Sequence, residues 1–122
     1  MEQRAYRKLG VWSDAMSVVE SVYQLCESMP SDERFGLTSQ MKRAAVSIPS
    51  NIAEGKRRGS DKDFCRFLKI AFGSGAELET QLELTMRLQL VDPDRCSDVL
   101  NQLDSLMMSL NALIQVVKAT GN

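Results

Sequence analysis

Apolar residues return along this chain every three or four positions, the period of an α-helix rather than of a strand. In the first segment Leu9, Trp12, Ala15, Met16, Val19, Val22, Tyr23 and Cys26 keep that step until Pro30 closes it. The second stripe is Leu37, Met41, Ala45, Ile48 and Ile52, with Thr38 as the expected N-cap and Gly55 opening its end. The third begins at Ser60 with Asp63 three positions on, close to a capping box, and carries Phe64, Phe67, Leu68, Ala71, Gly75, Leu78, Leu82 and Met86. The fourth opens on VDPD, where Asp92 suits an N-cap and Pro93 the first helical position. Its stripe is Leu100, Leu103, Met107, Leu110, Ile114 and Val117, with Lys118 and Gly121 as end signals. The predicted helices span about 9–28, 38–56, 61–90 and 93–119 of the 122 residues, with PSDERFG as the first connection. Short connections between long helices, with no strand alternation, predict one domain: an antiparallel up-down-up-down four-helix bundle.

The stretch AVSIPSNIAEGKRRGS, residues 45–60, places Pro49 inside the second helix. A proline there removes the hydrogen bond to the carbonyl four residues back and costs ~3 kcal/mol. The apolar phase nevertheless continues from Ala45 through Ile48 to Ile52, which predicts one kinked helix rather than a break. Arg43, Ser47, Ser50 and Glu54 each lie two positions beyond a core residue, on the far side of the helix. Ser and Asn are poor helix formers. A face that uses them, flanked by Gln40 and Asn51, is expected to be a second packed surface between subunits. Glu77 and Gln81, one turn apart on the third helix, are candidate partners for Arg43 or Asn51. Gly73, Ser74, Gly75 and Ala76 lie in mid-helix, where the two glycines cost ~1 kcal/mol each relative to alanine, and these small residues predict a tight helix crossing.

Composition narrows the chemistry. The chain has no histidine, which removes the usual general base and the Glu-x-x-His ligand pairs of di-iron bundles. Glu79 and Glu83 share a face, but no second carboxylate helix is evident, so no catalytic, metal or cofactor residue is assigned. The sequence predicts a protein that is not an enzyme, and no small-molecule substrate is indicated. Cys26, Cys65 and Cys96 lack CxxC spacing and read as free thiols within helices. With no leader-type apolar segment in MEQRAYRKLG and no membrane-length run, the expected location is the cytoplasm.

Net charge is −1, unevenly spread. Residues 1–69 hold 12 Lys and Arg against 9 Asp and Glu, whereas residues 70–122 hold 3 against 7. The densest positive run is KRRGSDKDFCRFLK, with Lys56, Arg57, Arg58, Lys62, Arg66 and Lys69 against Asp61 and Asp63. Such a cluster neutralises phosphates without reading bases, which makes these six residues the candidate RNA contacts.

The segments LGVWSDAM, FGLTSQMKRAAVSIPSNIAEG and FLKIAFGSGAELETQLEL resemble the bacterial four-helix-bundle proteins encoded in intervening sequences of 23S ribosomal RNA genes. The resemblance covers about residues 6–90; the fourth helix matches as a generic amphipathic segment. It implies an antiparallel four-helix bundle and a homo-oligomer, a closed ring of five, with no defined activity. A similar fold occurs in accessory proteins of diversity-generating retroelements, which act with a reverse transcriptase and RNA. The expectation is therefore a non-enzymatic pentameric ring that associates with RNA or an RNA–protein complex. A scaffold ring that binds a protein partner is the alternative.

Overall fold

The computed structural model describes residues 5, 6 and 9–120. Four helices, α1 (Gly10–Cys26), α2 (Leu37–Arg57), α3 (Asp61–Arg87) and α4 (Pro93–Thr120), account for nearly all of them, and Ser31–Glu33 form a 3₁₀ turn between α1 and α2. Each helix packs on the next in sequence and α4 packs back on α1, while the diagonal pairs do not touch. This is a four-helix bundle. Contacts set the direction of neighbours. Ser47 of α2 meets Ser74 of α3, and Met41 meets Thr85, so the two helices run antiparallel. The Cys96 thiol donates to the Leu82 carbonyl, and Gly75 lies against Met107, so α3 and α4 do the same. No helix among the described residues is long and apolar enough to cross a membrane.

The core stripes of α2, α3 and α4 follow the sequence pattern: Met41, Ala45, Ile48, Ile52, Leu68, Ala71, Leu78, Leu82, Leu103 and Leu110 have no exposed surface. In α1 the phase differs from expectation. Val11, Ala15, Val18, Val22, Leu25 and Cys26 are buried, whereas Met16 and Tyr23 are more than 40% exposed. The cause is an apolar band too wide for one seam. Its second edge, Trp12, Met16 and Val19, turns outward beside α2.

The helix ends also depart from expectation. α1 stops at Cys26, because the amides of Glu27, Ser28 and Met29 turn to the carbonyls three residues back and Ser28 Oγ donates to Leu25 O. Thr38 is not the N-cap of α2. Gly36 takes that place, Glu33 Oε1 accepts from the Leu37 amide at 3.1 Å, and Thr38 is buried in the first turn. α3 ends at Arg87 rather than near Leu90. Gln89 adopts φ +56°, its amide donates to Met86 O and that of Leu90 to Thr85 O, which is the Schellman pattern. The expected starts of α3 and α4 stand: Ser60 Oγ accepts from the Asp63 amide at 3.1 Å, and Asp92 Oδ1 from the Asp94 amide at 2.9 Å. Gly121 lies outside the described residues.

α2 runs without interruption through Pro49, and its side chains support the backbone around it. Ser50 Oγ donates to Val46 O and Asn51 Nδ2 to Ser47 O, both at 2.8 Å. Gly55 does not end α2. It is buried within the last turn, two residues before Arg57, and a Cβ there would lie 2.6 Å from the Cβ of Phe67. The tight-crossing expectation holds for Gly75, whose Cβ would strike Met107 Sδ, and fails for Gly73, which has open space around it.

Candidate nucleic-acid interface

The basic residues gather where α2 hands over to α3. The absence of a side chain at Gly55 lets α2 settle directly on Phe64 and Phe67. The chain then reverses at Gly59, whose φ of +91° is one that L-residues rarely adopt. Cations from both helices end up over the two rings. Lys56 Nζ lies 5.3 Å from the Phe64 centroid, and the guanidiniums of Arg58 and Arg66 lie 4.8 and 4.6 Å from that of Phe67. Arg58 also pairs with Glu54 at 2.8 Å, and Arg66 with Asp63 at 3.5 Å. Both pairs are exposed, where such contacts contribute little to stability, but they fix where the charges stand. Arg57, Lys62 and Lys69 are exposed and have no carboxylate partner among the described residues.

The six cations are arranged around two adjoining hollows, with Arg58 and Arg66 meeting over Phe67. Lys56 and Arg57, with Gly59, Ser60 and Phe64, line a cleft of about 470 Å³ at the turn itself. Lys62, Arg66 and Lys69 line an adjoining groove of about 800 Å³ between the start of α3 and the end of α4, where Lys118 joins them and Asp61 borders both hollows. The sequence pattern identified the cations but not this division, which arises from α4 ending beside the first turns of α3.

The residues expected at a subunit contact fall into two sets. Ser47 and Asn51 are half-buried against α3: Ser47 Oγ lies 2.8 Å from Ser74 Oγ, and Asn51 Nδ2 donates to Ser47 Oγ at 3.0 Å. The row they belong to is therefore turned partly inward and not directly away from the core. Gln81 is half-buried, its main-chain carbonyl accepts from Thr85 Oγ1, and its side-chain Oε1 is buried with no partner among the described residues. Gln40, Arg43, Ser50, Glu54 and Glu77 are exposed.

One surface was not expected. Trp12, Met16, Val19, Val46 and Pro49 line an apolar cleft of about 340 Å³ between α1 and α2. Farther along the same pair, Phe35 is 89% exposed and Lys42 Nζ stands 4.8 Å over the Tyr23 ring. The doubled apolar stripe of α1 is the signal in the sequence that pointed to it.

Burial pushes the thiols of Cys26 and Cys96 above their ordinary pKa; Lys42 opposes the shift at Cys26 and Glu83 adds to it at Cys96. Cys65 is half-buried on the wall of the α3–α4 groove. Among the described residues, no three His, Cys, Asp or Glu side chains converge as metal ligands would.

The fold and the basic turn define an all-helical bundle with a cluster of cations where α2 hands over to α3. The chain belongs to the family of 23S rRNA-intervening sequence proteins, whose model matches residues 7–112 and so takes in most of α4 as well. A crystal structure of a protein of unknown function from Bacteroides thetaiotaomicron, assigned to the S23 ribosomal protein family, has the same fold. It superposes with a TM-score of 0.79 at 24% identity, over 85% of this chain and 97% of that one. No curated protein matches the sequence.

Proposed function

We propose that the protein is a non-enzymatic homo-oligomeric module, a ring of five subunits, that associates with RNA or an RNA–protein complex through the turn between α2 and α3. The observation that carries this reading is the presentation of Lys56 and Arg57 at the rim of one open cleft, beside guanidiniums held in place over Phe67. Fixed cations meet phosphate with less ordering cost than free ones, and a ring repeats the cleft in every subunit. The family relationship supports the same reading, as does the absence of histidine from the chain.

The test is RNA binding by the intact protein across a salt series. Binding is expected to weaken steeply with salt, and K56E/R57E is expected to flatten the slope of log K against log salt by about 1.4 for two lost contacts on a single strand. Binding that ignores both salt and the double substitution overturns the proposal. A scaffold ring with a protein partner is the second reading. It is favoured by the near-neutral net charge of −1, unlike the strongly basic balance of a dedicated nucleic-acid binder.

A further inference from the structure

We infer that the groove between the start of α3 and the end of α4 is a binding site for an acidic amphipathic helix of a partner protein. This goes beyond the RNA reading and does not depend on it, because the groove adjoins the cleft of Lys56 and Arg57 at Asp61 but has its own cations, Lys62, Lys69 and Lys118, and its own apolar residues, Ile70 and Val117. Three features select the occupant. The groove has an apolar floor, Ile70 and Val117, and Ile70 is 43% exposed. Its rims are cationic, with Lys62, Arg66 and Lys69 along α3 and Lys118 on α4, against Asp61 and Asp63. The Asp63–Arg66 pair, at 3.5 Å, is solvent-exposed and leaves Arg66 open to a second carboxylate, and the four cations outnumber the two carboxylates.

The spacing then distinguishes ligand classes. Lys62, Arg66 and Lys69 follow one another at four and three residues and extend over about 10 Å of helix. A compact anion needs cations that converge on a point, and these are strung in a row. Nucleic acid would satisfy the row through its phosphates but leave Ile70 in contact with charge. An amphipathic helix with carboxylates at the same steps pairs with the row and covers the floor with its apolar stripe, the helix-in-groove mode of recognition.

Cys65 supplies a reporter, since it lines the groove while Cys26 and Cys96 are buried in the core. The experiment uses the full chain with a fluorescein-labelled helical peptide of about 16 residues, Leu along one face and Glu on its flanks, together with its scramble and a single-stranded RNA of about 12 nucleotides. Saturable binding of the ordered peptide is expected, about tenfold tighter than the scramble, with slower alkylation of Cys65 when it is bound. I70D is expected to weaken the peptide about tenfold while leaving RNA binding intact, and K56E/R57E to do the opposite. K118E provides the same reading should I70D fail to fold. Equal affinity for the scramble, no loss with either groove variant, no saturable binding, or protection of Cys65 by RNA in place of the peptide each overturn the assignment.

Discussion

At Gly55, Gly73 and Gly75 the decisive question is what a methyl group would meet. At Gly55 a Cβ would lie 2.6 Å from Phe67 Cβ and 3.4 Å from Phe64 Cα, atoms that cannot move without moving α3. Gly55→Ala is therefore expected to destabilise the protein by ~1–3 kcal/mol in urea unfolding, and to loosen the turn that positions Lys56 and Arg57. At Gly73 nothing lies within 4 Å, so Gly73→Ala is expected to stabilise by ~1 kcal/mol through helix propensity alone. Composition could not separate these residues, because both are glycines in helical sequence and only the neighbouring helix tells them apart. The buried thiols make a second prediction at this scale. Cys26 and Cys96 have pKa values raised above 9.0 by burial, so the folded state holds the proton more tightly than the unfolded chain. Their contribution to stability is complete below pH 9.0 and is lost as pH rises through the folded values. Unfolding midpoints measured from pH 7 to 10 are expected to fall at the alkaline end, and Cys96→Ala is expected to reduce that fall.

The helices themselves were legible because three of them bury a single stripe. α1 was misphased because its apolar residues serve two seams, the core and the cleft beside Pro49, and a pattern wide enough for both has no unique phase. The small polar residues around Pro49 show a related ambiguity. Ser and Asn at Ser50 and Asn51 suggest a face made for close approach, yet both side chains bond carbonyls of their own helix one turn back. Proline removes the donor for Ala45 O, and the side chains of Ser50 and Asn51 are taken up by the neighbouring carbonyls of Val46 and Ser47 rather than by a second chain. Asn51→Ala, which removes the donations to Ser47 O and Ser47 Oγ, is expected to cost ~0.5–1.5 kcal/mol in thermal or urea unfolding. The end of α3 was illegible for a different reason. Its Schellman cap uses Gln89 at φ +56°, where glycine is the usual signal. Gln89→Gly is expected to stabilise the protein by ~1 kcal/mol, since it relieves the left-handed strain without removing a contact that the cap needs.

Over the whole molecule, charge and exposed apolar surface are segregated in a way that bears on assembly. Residues 1–69, which hold α1, α2 and the first turns of α3, are net positive, and the outward cleft between α1 and α2 is flanked by Arg34, Lys42 and Arg43 around Phe35 and Tyr23. Residues 70–122 are net negative and expose Leu84, Leu88 and Met108 on α3 and α4. A two-fold dimer brings like surfaces together and would place positive against positive at the first cleft. Joining unlike surfaces pairs opposite charges and covers both apolar sets, and such head-to-tail contacts close into a ring when the rotation allows. The one-dimensional pattern supplied the charge asymmetry. It could not show that the second apolar edge of α1 and the exposed residues of α3 and α4 lie on different sides, because that depends on how the four helices circle the core. For the proposed ring, light scattering after size exclusion is expected to give five copies of 13.6 kDa. Met16 and Val46 are each 41% exposed, so Met16→Glu with Val46→Glu leaves the core untouched and is expected to yield a folded monomer. A wild-type monomer would remove the ring from the proposal, and a dimer unaffected by the double substitution would show that the cleft between α1 and α2 faces something other than a second copy.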